Sequence, residues 1–481
     1  MAFMATADPS SASRASGTVT IAVACVATVM LMLDISVVNT ALSDISSDLK
    51  TGLGGLQWVI DAYTLPLAAV VLTAGSIADR FGRRRLFLGG LTVFTLSSVA
   101  CGAAPGIETL VAARAIQGLG AAVLFATALA LISDATPTPA QRAKALGIFG
   151  ASIGASFAIG PFIGGSLTDG FGWRAIFLIN LPIGILTLLL STRVAESRDP
   201  HARKVDLPGQ VALSIGLFLL VFALLRGNAD GWDAPKVVAS LVGAVVLLVA
   251  FVVIEHRSAE PMLPLGLLRQ RRFAGPQVIV FGIAASFFAA FLYATLYLQG
   301  VLGLSPIKTG IAYLPTTVLV FFVSGATAGL MTRIAPARLA AAGLALIGVG
   351  MFVVAFTTEV DSSWTAILPG LLIAGIGTGL VNPTGSALAL EALPPEQSGL
   401  ASGANDTFRQ TGVAVGIAGL GTFVPAAGAF GTDHQAYVDG MHHAFIAGGV
   451  LALVCAAGAA VLLLVRAPEV EDEPELAIDA V

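Results

Sequence analysis

The sequence predicts an all-α membrane protein: two six-helix bundles related by an internal repeat, with two further spanning helices between them. Three observations lead there. Apolar residues make up 56% of the chain and charged residues only 11%, at a mean hydropathy of +0.89, a composition suited to lipid and not to water. Apolar runs of about 20 residues recur without the alternation of a barrel strand, and backbone amides in hydrocarbon must then be paired inside helices. Finally, a basic hinge between two such runs, Gly75-Ser76-Ile77-Ala78-Asp79-Arg80-Phe81-Gly82-Arg83-Arg84-Arg85, returns in worn form later in the chain. There it reads Gly329-Leu330-Met331-Thr332-Arg333-Ile334-Ala335-Pro336-Ala337-Arg338, and Gly75, Arg84 and Gly89 fall on Gly329, Arg338 and Gly343 at a constant offset of 254 residues.

Fourteen spans are expected. The first, roughly 18–40, has no convincing cleavage site and carries a charged residue near its far end, so it reads as a retained helix. Spans at roughly 57–78 and 86–104 flank the hinge, and 109–133, 143–167 and 174–192 complete a first bundle over 18–192. A pair at roughly 208–226 and 236–254 has no counterpart and occupies 208–254 as an insertion. The second bundle, 275–465, holds spans at roughly 275–299, 309–331, 338–356, 364–390, 398–422 and 442–465. Its fifth member matches that of the first bundle, because Pro139, Gln141, Gly147 and Gly160 recur as Pro395, Gln397, Gly403 and Gly416 at an offset of 256. Residues 1–17, rich in Ser and Ala, and the acidic stretch 466–481 read as disordered tails.

Charge sets the orientation. Of the 25 Lys and Arg residues, only Lys50, Arg174, Arg226, Lys236 and Lys308 fall on one side of these spans, and Arg114 and Arg409 lie within them; the rest share the other side. The positive-inside rule then puts both termini in the cytoplasm of a multi-pass protein of the cytoplasmic membrane. Trp58, Trp173, Trp232 and Trp364 all cluster at the opposite ends, as an interfacial belt would.

Several stretches together resemble the major facilitator superfamily, in particular its fourteen-span drug:proton antiporter branch. Gly75 to Arg85 is similar to the signature loop between the second and third helices. Arg114-Ala115-Ile116-Gln117-Gly118-Leu119-Gly120 is similar to the fourth-helix motif, and Gly154 with Gly160-Pro161-Phe162-Ile163-Gly164-Gly165 resembles the fifth-helix motif of exporters. Leu33-Asp34-Ile35-Ser36-Val37-Val38-Asn39-Thr40-Ala41-Leu42 resembles the first-helix motif of that branch, departing from it at Ser43, where proline is common. Trp173-Arg174 with Phe177 to Pro182 is also typical. The resemblance implies export of amphiphilic, drug-like or antibiotic compounds by alternating access, in exchange for protons. An importer or facilitator of a small nutrient would share the fold and is the alternative.

The residues supply physical reasons. A charge at the bilayer centre costs about 2.5–3.5 kcal/mol on insertion scales and is therefore paired or functional. Asp34 and Arg114 each lie roughly 10 Å from the same end of their helices, so they have the depth to meet, as a proton-handling pair or as a static ion pair. Asp61, near the outer end of the second span, is a further protonatable group, a cation-attracting group or a solvated residue. In the hinge, Gly75 and Gly82 allow close approach or unusual backbone angles. Asp79 with Arg80, Arg83, Arg84 and Arg85 reads either as a bare orientation signal or as a latch that holds the cytoplasmic face shut in the outward-open state. Gly154, Gly160 and Gly164, with Pro161, let the fifth span pack closely and kink, and with Gly412 and Gly416 they suggest paired helices rocking at the interface of the halves. Asn39, Tyr63, Gln117, Asn180, Asn405 and Arg409 are polar groups that line a cavity or bond to neighbouring helices, and Asp406 with Arg409 reads as a neutralised pair.

Other chemistry finds no footing in the sequence. No phosphate-cradling loop occurs and no cytoplasmic loop is long enough for an ATPase domain, so neither an ATPase subunit nor a cofactor is expected, and energy must come from a gradient. Cys25, Cys101 and Cys455 lie in apolar runs, and the five histidines lie in or beside loops, so no metal site, disulfide framework or catalytic nucleophile is read. The expected partners are a small amphiphilic substrate, protons and the lipid bilayer, with no nucleic acid and no enzymatic role.

Overall fold

The computed structural model describes residues 9–136, 138–198, 206–258, 260–394, 397–425 and 427–464. The first half contains α1 (Pro9–Thr40), a short α2 (Leu42–Leu49), α3 (Leu53–Phe81), α4 (Arg83–Gly102), α5 (Ile107–Asp134) and α6 (Pro139–Phe171). Its last rod is split into α7 (Ala175–Leu178) and α8 (Asn180–Ser191), because Pro182 has no N–H to give the Leu178 carbonyl four residues back. The inserted hairpin is α9 (Leu207–Asp230) and α10 (Pro235–Arg257). The second half opens with α11 (Arg271–Ile283) and α12 (Ala289–Leu296), which π-helical stretches at Ala284–Phe288 and Tyr297–Val301 join into one rod. It continues through α13 (Pro306–Leu330), α14 (Pro336–Thr357), α15 (Leu368–Glu391), α16 (Ser398–Gly421) and α17 (His434–Leu464).

Proline marks where these helices begin. It sits in the first turn of α6, α9, α10, α13, α14 and α15, where its missing N–H costs nothing. Small residues set how closely the helices pack. A Cβ on Gly120 of α5 would stand 2.7 Å from the Phe94 nitrogen of α4, and one on Gly377 of α15 would stand 2.3 Å from the Gly343 carbonyl of α14. Within the first half α1 lies on α6, and α3 and α4 on α5; within the second, α14 lies on α15 and α17, and α13 on α15. The halves meet along two seams, α6 on α13 and α3 on α16.

Among the described residues, 11 helices are long and apolar enough to cross a membrane. The stretches Ile159–Phe171 and Ala175–Ser191, bent by 119°, make 12 if they count as one span. The count of fourteen is thus not reached by length and hydropathy alone. Helix α16 falls short because Asn405, Asp406, Arg409 and Gln410 interrupt its apolar sequence. A second difference lies at the start: α1 already runs from Pro9, so residues 9–17, expected in a disordered tail, are helical, while 1–8 and the acidic tail 466–481 lie outside the described residues. The short α2, not anticipated from the sequence, buries Leu42 and Ile45 beside the end of α1.

Candidate functional site, a buried ion pair

Asp34 on α1 and Arg114 on α5 are each 1% exposed and form an ion pair through Arg114 Nη1 and Asp34 Oδ2. Burying two charges is tolerable only when their remaining valences are filled. Arg114 also donates from Nε to the Val59 carbonyl at 3.0 Å and from Nη1 to Gln117 Oε1 at 2.8 Å. Its guanidinium lies 4.2 Å from the centre of the Tyr63 ring and 5.7 Å from that of Phe177. The other carboxylate oxygen, Asp34 Oδ1, accepts from Gln117 Nε2 at 2.9 Å and from Asn180 Nδ2 at 3.2 Å. Asn180 in turn donates to Ser98 Oγ at 3.0 Å, and the Cys101 thiol points at Gln117 Oε1 at 3.6 Å. Five rods of the first half thus converge on one carboxylate.

Gln117 and Asn180 therefore serve as donors to Asp34 and not as free cavity walls. Asn39 bonds back to the Ile35 carbonyl of its own helix at 3.2 Å. The Tyr63 ring covers Arg114, while its buried hydroxyl finds no hydrogen-bond partner. Asp61 is fully buried on α3, and neither of its carboxylate oxygens has a partner among the described residues. The expectation of a solvated residue at a helix mouth fails there, because the helix end is covered by the second half. One turn away, Gln57 Nε2 donates to Tyr293 Oη at 2.9 Å, and that hydroxyl donates to the Ile417 carbonyl on α16. Asp406 and Arg409 approach only to 4.0 Å, and Asp406 Oδ2, Asn405 Nδ2 and the Thr407 hydroxyl are buried without partners.

Sequence reasoning had no signal for Ser98, Cys101 or Gln57, since small or amide side chains occur on any face of a spanning helix. The same holds for the contacts that close one face of the molecule. Gln299, in the second π-helical stretch, donates to the Thr40 carbonyl at 2.7 Å and accepts from the Ser43 nitrogen at 3.3 Å. Ser305 donates to Asp169 at 3.0 Å. With Gln57 and Tyr293 these polar contacts join the halves at the tryptophan-bearing face. On that face α2 is also held down: Asp48 accepts from Trp173 Nε1 at 2.9 Å and from Arg174 Nη1 at 2.6 Å. These two donors hold the Asp48 carboxyl below the usual carboxylate range. Its folded-state pKa being depressed, the contact contributes fully above the ordinary Asp value of about 4 and is lost only as pH falls through the depressed value.

On the arginine-rich face, where a latch is expected for the outward-open state, the hinge is tied within one half. Arg83 pairs with Asp79 at 2.8 Å and with Asp134, and its backbone N–H donates to the Ser197 carbonyl at 3.0 Å. Glu196 accepts from the backbone N–H groups of Arg84 and Arg85 at 3.1 and 3.2 Å, capping the positive end of α4, and Arg84 Nε donates to the Ser191 carbonyl at 3.2 Å. Arg80 lies 5.7 Å from the Phe81 ring. All these partners belong to the first half, so in this conformation the hinge braces one bundle and does not clasp two. Gly82 is required there, with φ of +114° and Glu196 Oε1 2.7 Å from where a Cβ would sit, whereas Gly75 has open space.

The fifth-span glycines are likewise partitioned. A Cβ on Gly160 would stand 2.3 Å from Ser36 Oγ and one on Gly164 2.8 Å from Val37 Cα, both on α1. Gly412 and Gly416 face the Phe281–Ala285 stretch of their own half at 3.0 and 2.5 Å. Their helices α6 and α16 do lie at the interface of the halves, on α13 and α3, but these glycines face neighbours of their own half, and the surroundings of Gly154 lie outside the described residues. Contact across the halves falls instead to Gly165 and Gly310, whose Cβ atoms would stand 2.4 Å from the Pro306 and Pro161 carbonyls.

The sequence profile described as Major Facilitator Superfamily matches residues 24–417. Multidrug resistance protein Stp of Mycobacterium tuberculosis is 38% identical over 401 residues, covering 82% of this chain and 74% of that protein. The Tetracenomycin C resistance and export protein of Streptomyces glaucescens is 32% identical over 418 residues, covering 86% of this chain and 77% of that protein. Among solved structures, a D-xylose-proton symporter superposes with a TM-score of 0.66 at 13% identity, over 93% of this chain and 97% of the other.

Proposed function

Because the chain belongs to the major facilitator superfamily, we propose that it is a drug-efflux antiporter, exporting amphiphilic compounds across the cell membrane in exchange for protons. The names of its relatives, multidrug resistance and tetracenomycin C export, support efflux as the direction. The observation that carries the coupling is the buried Asp34–Arg114 pair with its Gln117 and Asn180 donors. A proton arriving on Asp34 removes the charge that Arg114 opposes and turns one acceptor oxygen into a donor. The amide donors and the guanidinium must then find other partners, which biases the packing of five rods at once.

Asp61 is the second proton-holding group. A carboxylate buried without a partner bears a large cost when ionised, so its charge follows what lies beside it on the α3–α16 seam. One inward proton is worth about 2.3 kcal/mol per 100 mV of membrane potential, enough to drive a useful substrate gradient. The chain crosses the membrane fourteen times with both termini cytoplasmic. At 1.5 Å per residue, α16 with its 24 residues spans about 36 Å and α6 with 33 about 50 Å, so each is long enough for a crossing of its own. The tryptophan-bearing face is then external, and the structure is closed on that side.

The test uses inside-out vesicles loaded with acid and offered ethidium. Accumulation driven by the imposed pH gradient, abolished by Asp34→Asn and by collapsing the gradient with an ionophore, is the expected result. Uptake indifferent to both pH and voltage removes the coupling, and expulsion in place of accumulation reverses the direction. Since Asp34→Asn strands a buried guanidinium at a cost of about 3–5 kcal/mol, Asp34→Asn with Arg114→Gln should recover folding but not transport.

A further inference from the structure

We infer that the inserted hairpin α9–α10 is a sliding wall over the α3–α16 seam, riding with the first half while α16 moves beneath it. This rests on the alternating-access reading above. Helix α9 touches both sides of the seam, and one apolar cluster joins Leu65 of α3, Leu213, Leu217 and Val221 of α9, and Ala414 and Ala418 of α16.

The two contacts differ in kind. Toward α3, Gln210 of α9 is buried and donates to the Ala69 carbonyl at 2.9 Å, while the buried Thr73 hydroxyl donates to Gln210 Oε1. Some ten residues of α9 further on, the Trp58 ring of α3 lies 5.6 Å from Phe218 and 6.4 Å from Phe222. So α9 is fixed to α3 near its start and again along its middle, and breaking the Gln210 bonds would strand polar groups in an apolar layer. Toward α16 the facing residues are the alanines Ala414 and Ala418, one turn apart, which offer methyl groups and no side-chain hydrogen bond. Methyl contacts exchange for one another at little cost provided the area stays covered, so this is the side that yields.

The seam holds a group that needs such cover. Leu65 lies one turn from Asp61 on α3, which places the α9 contact beside that unpartnered carboxylate. On the far side, α10 presents exposed Val242, Val245, Val246 and Val249 outward, a surface suited to lipid. The hairpin thus closes the flank of the seam against the bilayer while leaving its floor free to shift.

Cross-linking decides the matter, in full-length protein carrying Cys25→Ser and Cys455→Ser and keeping the fully buried Cys101, with ethidium efflux as the readout. Bridging Thr73→Cys to Gln210→Cys should leave efflux within about twofold of the unbridged protein, because these residues do not part. Bridging Leu217→Cys to Ala414→Cys with a short reducible reagent should lower efflux at least about tenfold, with recovery on reduction. Ser43→Cys bridged to Gln299→Cys locks the halves directly and should also block. If the first bridge blocks, or the second leaves efflux intact while the third blocks, the sliding wall is wrong. If the third bridge leaves efflux intact, the rocking reading itself falls and takes the wall with it. Spin labels give a second readout free of locked states: the α9-to-α3 distance should stay constant between acidic and alkaline pH while α9-to-α16 changes, and equal changes overturn the inference.

Discussion

Arg114 is satisfied from four directions: Asp34, the Val59 carbonyl, Gln117 and the face of Tyr63. The last of these needs only the ring, because the Tyr63 hydroxyl has no partner. Tyr63→Phe should therefore leave thermal stability in detergent unchanged or slightly raised, whereas Tyr63→Leu should lose about 0.5–2 kcal/mol with the cation–π contact. A Phe variant as damaged as the Leu variant would show that the hydroxyl does bond. At this scale the charged pair was legible in the sequence, since Asp34 and Arg114 are lone charges at matching depth in apolar runs. Gln117 and Asn180 were legible only as polar residues, because a donor's target depends on how each helix is rotated about its axis. Ser98 and Cys101 left no trace at all.

Helices pack closely where glycine faces backbone or a short side chain, and the sequence spacing alone does not say which neighbour is faced. Gly160 and Gly164 read as an interface between halves, yet they bind α6 to α1 inside one half; Gly165, one residue on, is the one that meets α13. A residue step turns a helix by about 100°, so adjacent glycines serve different partners. The same reasoning separates the two glycines of the hinge. Gly82→Ala should cost about 1–3 kcal/mol and lower expression, through its positive φ and the clash with Glu196, while Gly75→Ala should fold as well as the parent. Equal loss of expression for both would contradict the geometry.

For the molecule as a whole, the balance between its two faces is set by a few polar contacts. Gln299 is the clearest, one side-chain amide bonded to two backbone groups across the halves beside the break between α1 and α2. Each such bond contributes about 0.5–1.5 kcal/mol, so losing both in Gln299→Ala, about 1–3 kcal/mol, should shift the conformational equilibrium roughly 5–150-fold toward opening on the tryptophan-bearing face. Labelling of a cysteine placed at Asp61 from outside the cell would report this as a matching rise in rate, and an unchanged rate would remove Gln299 from the closure. Asp48 holds its own contacts throughout mild acid, so a change in closure between pH 8 and 5 has to arise away from it.

The sequence by itself determined the apolar, all-helical class and the address of the Asp34–Arg114 pair. Hydropathy, positive charge and duplication are sums over residues taken one at a time, each judged against its solvent, and such sums survive without coordinates. Partner choice is different in kind. Which partners Asp79 takes in this conformation, which helix a glycine admits, and that Asp61 is sealed under α16 all depend on the rotation and register of rods distant in sequence. Only the tertiary structure decided those, because there the energy belongs to the pair of surfaces and to neither one alone.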